Sequence, residues 1–272
     1  MLLIACIKLI LVFVSSFFLS LSGEIEKNII YKPSKLLGPL ILNAEIKDFT
    51  TPDNLKLSYL HIKGNKKSPI ILFCHGNEGN ITLNYIQKKL IFLEKKGYEI
   101  YVLDYRGYGK SDGSPDEQGI YSDVRNFIKY LNLKPENIVI WGHSLGAAII
   151  IDTAKDINFK GVIAEGGFTS IEDMRVYRTK SDDKINPVIH LMRNFVYNSL
   201  TITQEYNSKE KIGLINSPIL ILHGKNDIIV PHEMGVNLAK LNTNAELFLS
   251  ETGDHNGSGW QDVAILEFIE NL

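Results

Sequence analysis

The chain has 272 residues, 44% hydrophobic and 22% charged, with a formal net charge of -2. This is enough for one large domain or two small ones with a well-buried core. The lysines are scattered among acids, which excludes a basic face for nucleic acid. Two cysteines, Cys6 and Cys74, argue against a disulfide framework and against a metal site, and nothing calls for a cofactor.

Residues 1–22 read as a leader. Met1 to Leu21 is a continuous apolar run broken only by Cys6, Lys8 and a few serines, about the length of a bilayer-crossing helix. Ser20-Leu21-Ser22-Gly23 offers small residues for a signal peptidase. A removed secretory signal, a retained membrane anchor and a buried amino-terminal helix all stand as readings. In the first two, the remainder is exported or faces the exterior of a membrane. Residues 23–43 read as a connector, with Pro33 and Gly38-Pro39 breaking any helix.

Residues 44–272 carry the elements of one domain. Ala44 to Phe49 and Leu55 to Lys63 alternate as two antiparallel strands around the turn residues Thr51-Pro52-Asp53-Asn54. Pro69 to Cys74 is apolar on both faces, as a parallel strand covered by helices must be. Strands and helices then alternate. Helices are expected over Ile81 to Lys96, Glu117 to Leu131, Leu145 to Lys155, Pro231 to Leu241 and Gln261 to Leu272. Strands are expected over Glu99 to Leu103, Ile138 to Trp141, Gly161 to Ala164, Pro218 to Leu222 and Ala245 to Leu249. The pattern predicts a doubly wound, mostly parallel α/β sheet with antiparallel amino-terminal strands and a site at the carboxyl ends of the parallel strands. Between about 168 and 217 no strand is expected, and Val188 to Tyr197 reads as a short helix. That interval reads as a small lid, against the plainer reading of a surface excursion.

One stretch carries chemistry. Asn137 to Trp141 ends in Gly142-His143-Ser144-Leu145-Gly146 and passes into a helix, the strand, sharp turn and helix of a nucleophile elbow. A serine hydroxyl needs a base and an acid before it can attack. His255, in a glycine-flanked loop after the last strand, is the candidate base. His75 and His223 each precede a glycine at a strand end and read as backbone-shaping, and His143 should point away from the nucleophile. Asp227, after a buried strand, is the candidate acid, with Asp254 as rival and a turn or capping role as the alternative. The backbone N–H groups of Leu145 and Asn77 are the candidate oxyanion donors, Asn77 lying in the glycine-containing loop His75 to Asn80. Asp104 to Ser111 reads as a structural loop lining the pocket.

His75-Gly76-Asn77-x-Gly79-Asn80, Asp104-x-Arg106-Gly107-x-Gly109-x-Ser111, Gly142-x-Ser144-x-Gly146, Phe168-Thr169-Ser170, Asp227-x-x-Val230-Pro231 and Gly253-x-His255-Asn256 together resemble the α/β-hydrolase superfamily. More narrowly they are similar to membrane-associated serine hydrolases of the α/β-hydrolase-domain type, a group that includes lysophospholipid and monoacylglycerol hydrolases and protein depalmitoylases. The resemblance implies the α/β-hydrolase fold and a Ser144, Asp227, His255 triad that opens a small-molecule acyl ester or thioester through an acyl-enzyme. Glu78 departs from the small residue usual there; it either discourages acidic substrates or faces solvent. A serine aminopeptidase on the same scaffold and a non-catalytic interaction protein are the competing readings. The oligomeric state is not legible.

Overall fold

The computed structural model describes residues 22–64, 69–180, 201–257 and 259–272. The apolar run to Leu21 and the helix expected over 188–197 lie outside the described residues. Period-two patterning decides how the sheet is built. Along β4 (Ile70–Cys74), Leu72 and Cys74 join one core while Ile71 and Phe73 join the other. Along β7 (Ile138–His143), Ile138 and Ile140 separate from Val139 and Trp141 in the same way. Strands apolar on both faces are stable only between two layers of helix.

Those layers are present. The first core takes α3 (Glu117–Leu131) through Val124 and Phe127, and α4 (Leu145–Ala154) through Ile149 and Ile150. The second takes α2 (Asn84–Lys95) through Ile86, Leu90 and Leu93, and α7 (Asp262–Glu270) through Ile265 and Phe268. Each such side chain contributes about 1.5–3 kcal/mol on burial.

The remaining strands are β2 (Ala44–Thr50), β3 (Lys56–Ile62), β6 (Ile100–Leu103), β8 (Gly161–Glu165), β9 (Ile219–Gly224) and β10 (Ala245–Ser250). They form one sheet with β4 and β7 in the order β10-β9-β8-β7-β4-β6-β3-β2. β10 through β6 run parallel, and β3 and β2 are antiparallel at one edge. Cys74 sits opposite Gly142, and Gly142 opposite Ala164. The loops leaving β4, β7 and β8 therefore emerge side by side, with those leaving β9 and β10 next to them.

Two segments differ from expectation. The segment read as a connector is helical over its described residues 22–30 (α1), and then β1 (Lys32–Pro33) pairs in parallel with β5 (Glu78–Gly79). Pro33 falls after the helix instead of within it, so it ends the turn without preventing it. Ile30 and Tyr31 are buried in the first core. In the interval read as a lid, α5 (Ile171–Lys180) follows β8. The chain then returns at 201–206 against two buried carboxylates. Glu26 accepts the N–H groups of Thr203 and Gln204, and Glu117 accepts those of Glu205 and Tyr206.

Candidate active site

Ser144 stands between β7 and α4 at φ 57°, ψ -116°, a conformation a non-glycine residue holds only under constraint. The constraint is packing. A Cβ at Gly142 would collide with the Gly146 carbonyl, and one at Gly146 with the carbonyl of Cys74. The Ser144 N–H is tied to the Glu165 carbonyl at 2.8 Å. The Leu145 N–H, first in α4, has no acceptor within the helix.

From the far side of the sheet end, His255 reaches Ser144. The Ser144 hydroxyl donates to His255 Nε2 at 3.0 Å, and His255 Nδ1–H donates to Asp227 Oδ2 at 2.6 Å. Asp227 also satisfies the alternative reading made of it, because its two oxygens divide the work. Oδ1 accepts the N–H groups of Ile229 and Val230, each at 2.8 Å, closing the turn before α6 (His232–Lys240), while Oδ2 faces the imidazole. Burial alone would raise the Asp227 carboxyl. Hydrogen bonds from His223 and His255, the His255 charge and the Val230 N–H outweigh it and hold Asp227 well below the usual carboxylate range. An ionised Asp227 fixes the proton on Nδ1 and leaves Nε2 to accept from serine.

The rival Asp254 accepts the Gly257 N–H at 3.0 Å and shapes the histidine loop from within. His143 donates from Nε2 to the His255 carbonyl at 2.7 Å instead of to Ser144. Its burial, with the Lys89 and His255 charges adding, pushes its pKa far down, so it stays neutral. His223 lies behind Asp227, 3.2 Å from Oδ2, and bonds the Val230 carbonyl. His75 donates from Nδ1 to the Gly76 carbonyl, with Nε2 3.4 Å from Asp104. Burial pushes the Cys74 thiol up to about 12, which keeps it unreactive.

The loop that carries Asn77 is held by elements that periodicity does not reveal. The Asn77 side chain donates to the Ile30 carbonyl at 2.7 Å, and its own carbonyl accepts from the Lys32 N–H and the Tyr108 hydroxyl, each at 2.9 Å. Among the described residues its N–H makes no hydrogen bond, as an oxyanion donor requires. The 104–111 loop thus supports the Asn77 loop from behind instead of lining the pocket: Tyr105 donates to the His75 carbonyl and Arg106 pairs with Asp123. Glu78 is exposed. Over Ser144 opens an apolar pocket walled by Ile30 of α1, Phe168, Met174 of α5, Ile202 and Val230. Ile30 and Ile202 were not expected there, because neither lies near the elbow in sequence.

Among the described residues there is no metal-binding cluster and no helix long and apolar enough to cross a membrane. The model of the alpha/beta hydrolase fold family matches residues 69–185. An uncharacterised protein of Acanthamoeba polyphaga mimivirus is 30% identical over 264 residues, covering 89% of this chain and 83% of that protein. The lysophosphatidylserine lipase ABHD12 of Danio rerio is 29% identical over 187 residues, and the match spans 64% of this chain but only 47% of that protein. Among solved structures, an esterase of Pyrococcus furiosus superposes with a TM-score of 0.68 at 20% identity, covering 89% of this chain and 97% of that one, a likeness of fold. Sheet order, family match and relatives agree: the chain belongs to the α/β-hydrolase fold family, in the α/β-hydrolase-domain group, and is a hydrolase.

Proposed function

We propose that the protein is a serine hydrolase that cleaves carboxylic ester or thioester bonds of lipid-like acyl substrates, with Ser144 as nucleophile, His255 as base and Asp227 as orienting acid. The observation that carries this reading is the run of hydrogen bonds from Ser144 through His255 to an ionised Asp227, beneath an apolar pocket. His255 takes the hydroxyl proton as Ser144 Oγ adds to the carbonyl carbon. The N–H groups of Leu145 and Asn77 receive the oxyanion, and losing one such donor typically costs about 3 kcal/mol of transition-state stabilisation. The tetrahedral centre collapses, His255 protonates the leaving alcohol or thiol, and the acyl group stays on Ser144. Water, deprotonated by the same imidazole, then releases the acid.

The wall formed by Ile30, Phe168, Met174, Ile202 and Val230 suits an alkyl chain. The lipase name of the zebrafish relative points the same way. The apolar run before residue 22 fits a protein that works at or beyond a membrane. Fluorophosphonate labelling and hydrolysis of p-nitrophenyl esters of graded acyl length, with aminoacyl anilides in parallel, test the assignment. Ser144→Ala is expected to stay folded and lose labelling and nearly all ester turnover. Full activity in that variant would sink the assignment, and a preference for anilides would redirect it to amide substrates.

A further inference from the structure

Beneath the reacting atoms lies a buried ion pair that no step above uses. Lys89 of α2 donates to Glu165 Oε1 at 2.6 Å, and each side chain is 1% exposed. Glu165 Oε2 accepts the Trp141 indole N–H at 3.1 Å, and the Glu165 carbonyl accepts the Ser144 N–H at 2.8 Å. One residue therefore holds both the elbow backbone and the ammonium. The ammonium in turn abuts the loop that presents His255. A Cβ on Gly257, at φ 65°, would lie 2.5 Å from Lys89 Nζ and 2.9 Å from the Gln261 amide. His143, in register with Glu165, bonds the His255 carbonyl from the elbow side. The loop is thus seated on a cation from α2 and on an imidazole from the elbow.

We propose that Lys89 and Glu165 are positioning residues, a clamp that locks the His255 loop to the nucleophile elbow. The proposal rests on Ser144 and His255 being nucleophile and base. Stability alone does not account for such a pair, since replacing a buried pair by apolar side chains is often neutral or stabilising, whereas removing one partner is costly. Registration between two segments far apart in sequence does account for it. Small displacements of a reacting group cost up to about a hundredfold in rate.

The test uses the full chain and compares Lys89→Met, Lys89→Arg, Glu165→Gln and the double variant Lys89→Met/Glu165→Met for kcat, KM, melting temperature and the pH profile of kcat/KM. The charged and titratable groups around His255 are Asp227 and His223, His143 of the elbow, Lys89, Glu165, Asp254 of its own loop and Asp262 of α7. Lys89→Met leaves a lone anion, which favours an imidazolium, so the acidic limb moves to higher pH. Glu165→Gln leaves a lone cation, and the limb moves to lower pH. Lys89→Arg recovers part of the lost rate. The double variant leaves no lone charge and is expected to melt above either single charge-breaking variant, short of the wild type because the buried Trp141 indole N–H loses its acceptor, while kcat stays about ten- to a hundredfold down with KM little changed. The His255 Nδ1 proton resonance, read by NMR without turnover, broadens in the double variant. Recovery of wild-type kcat together with stability, or single variants whose limb does not move, would overturn the clamp. A wild-type protein that fails to label with fluorophosphonate defeats the serine-hydrolase reading instead, and the resonance then decides the clamp by itself.

Discussion

Asp227 links the proposed chemistry to stability. Its folded-state pKa lies below the unfolded value of about 3.9. The stability it contributes is therefore complete above that value and is lost as pH falls through the depressed folded one. Asp227→Asn removes that contribution at neutral pH, so the stability of the variant should fall less steeply than that of the wild type below about pH 4 in circular-dichroism titrations. An amide at 227 also turns the imidazole tautomer over, and kcat on soluble esters should drop by about 10³–10⁴. A catalytic loss with an unchanged acid-unfolding curve would show that the carboxylate is ordinary in the folded state. Gly146→Ala tests the elbow in the same spirit. Its methyl has nowhere to go but into the Cys74 carbonyl, so a loss of about 1–3 kcal/mol in urea unfolding is expected, with Ser144 labelling falling alongside.

Among the elements, α1 and β1 matter most for the site and are least visible in the sequence. Asn77→Ala keeps the proposed oxyanion N–H but releases the side chain from the Ile30 carbonyl. A kcat about tenfold lower with near-wild-type melting is the expected result, and an unchanged kcat would show that β1 and Tyr108 hold the loop unaided. Glu26→Ala leaves two backbone N–H groups of the return segment without their acceptor, which should cost about 1–3 kcal/mol in urea unfolding. The strands and helices of the main sheet are legible because burial on both faces and a 3.6-residue period write themselves into the residues. The β1–β5 pair has two residues on each side, too few for any period, and the helical residues 22–30 precede Pro33 in a stretch with no apolar period of its own. Lys89 follows Lys88 on an amphipathic helix, and nothing in the sequence singles it out; tertiary packing against Glu165 puts it inside. Ser144, Asp227 and His255 were legible as candidates because strand ends and glycine-flanked loops mark them, whereas residues that hold a loop by backbone contacts leave no such mark.

At the scale of the whole molecule, the chain closes on itself across the site. α1 meets the 201–204 return segment through Glu26 and the Asn77 loop through Ile30, and Tyr31 donates to Gln204 while sharing a hydrogen bond with Tyr206. The amino-terminal segment, the loop after β4 and the return after α5 thus form one wall of the pocket, although about 175 residues separate its ends in sequence. A wall assembled this way fails as a unit. Two truncations separate it from the apolar run that precedes it. Removing residues 1–21 keeps residues 22–33, with the Glu26, Ile30 and Lys32 hydrogen bonds they supply, so kcat on a soluble short-chain ester should stay within about threefold of the full chain. Removing residues 1–33 takes away α1 and β1 together, strips the Asn77 loop of its Ile30 and Lys32 contacts, and opens the apolar pocket to water. That chain should lose about a hundredfold or more in kcat, the scale of one oxyanion donor, and melt at a lower temperature. Equal activity of the two truncations would mean that the loop after β4 holds its shape without the wall.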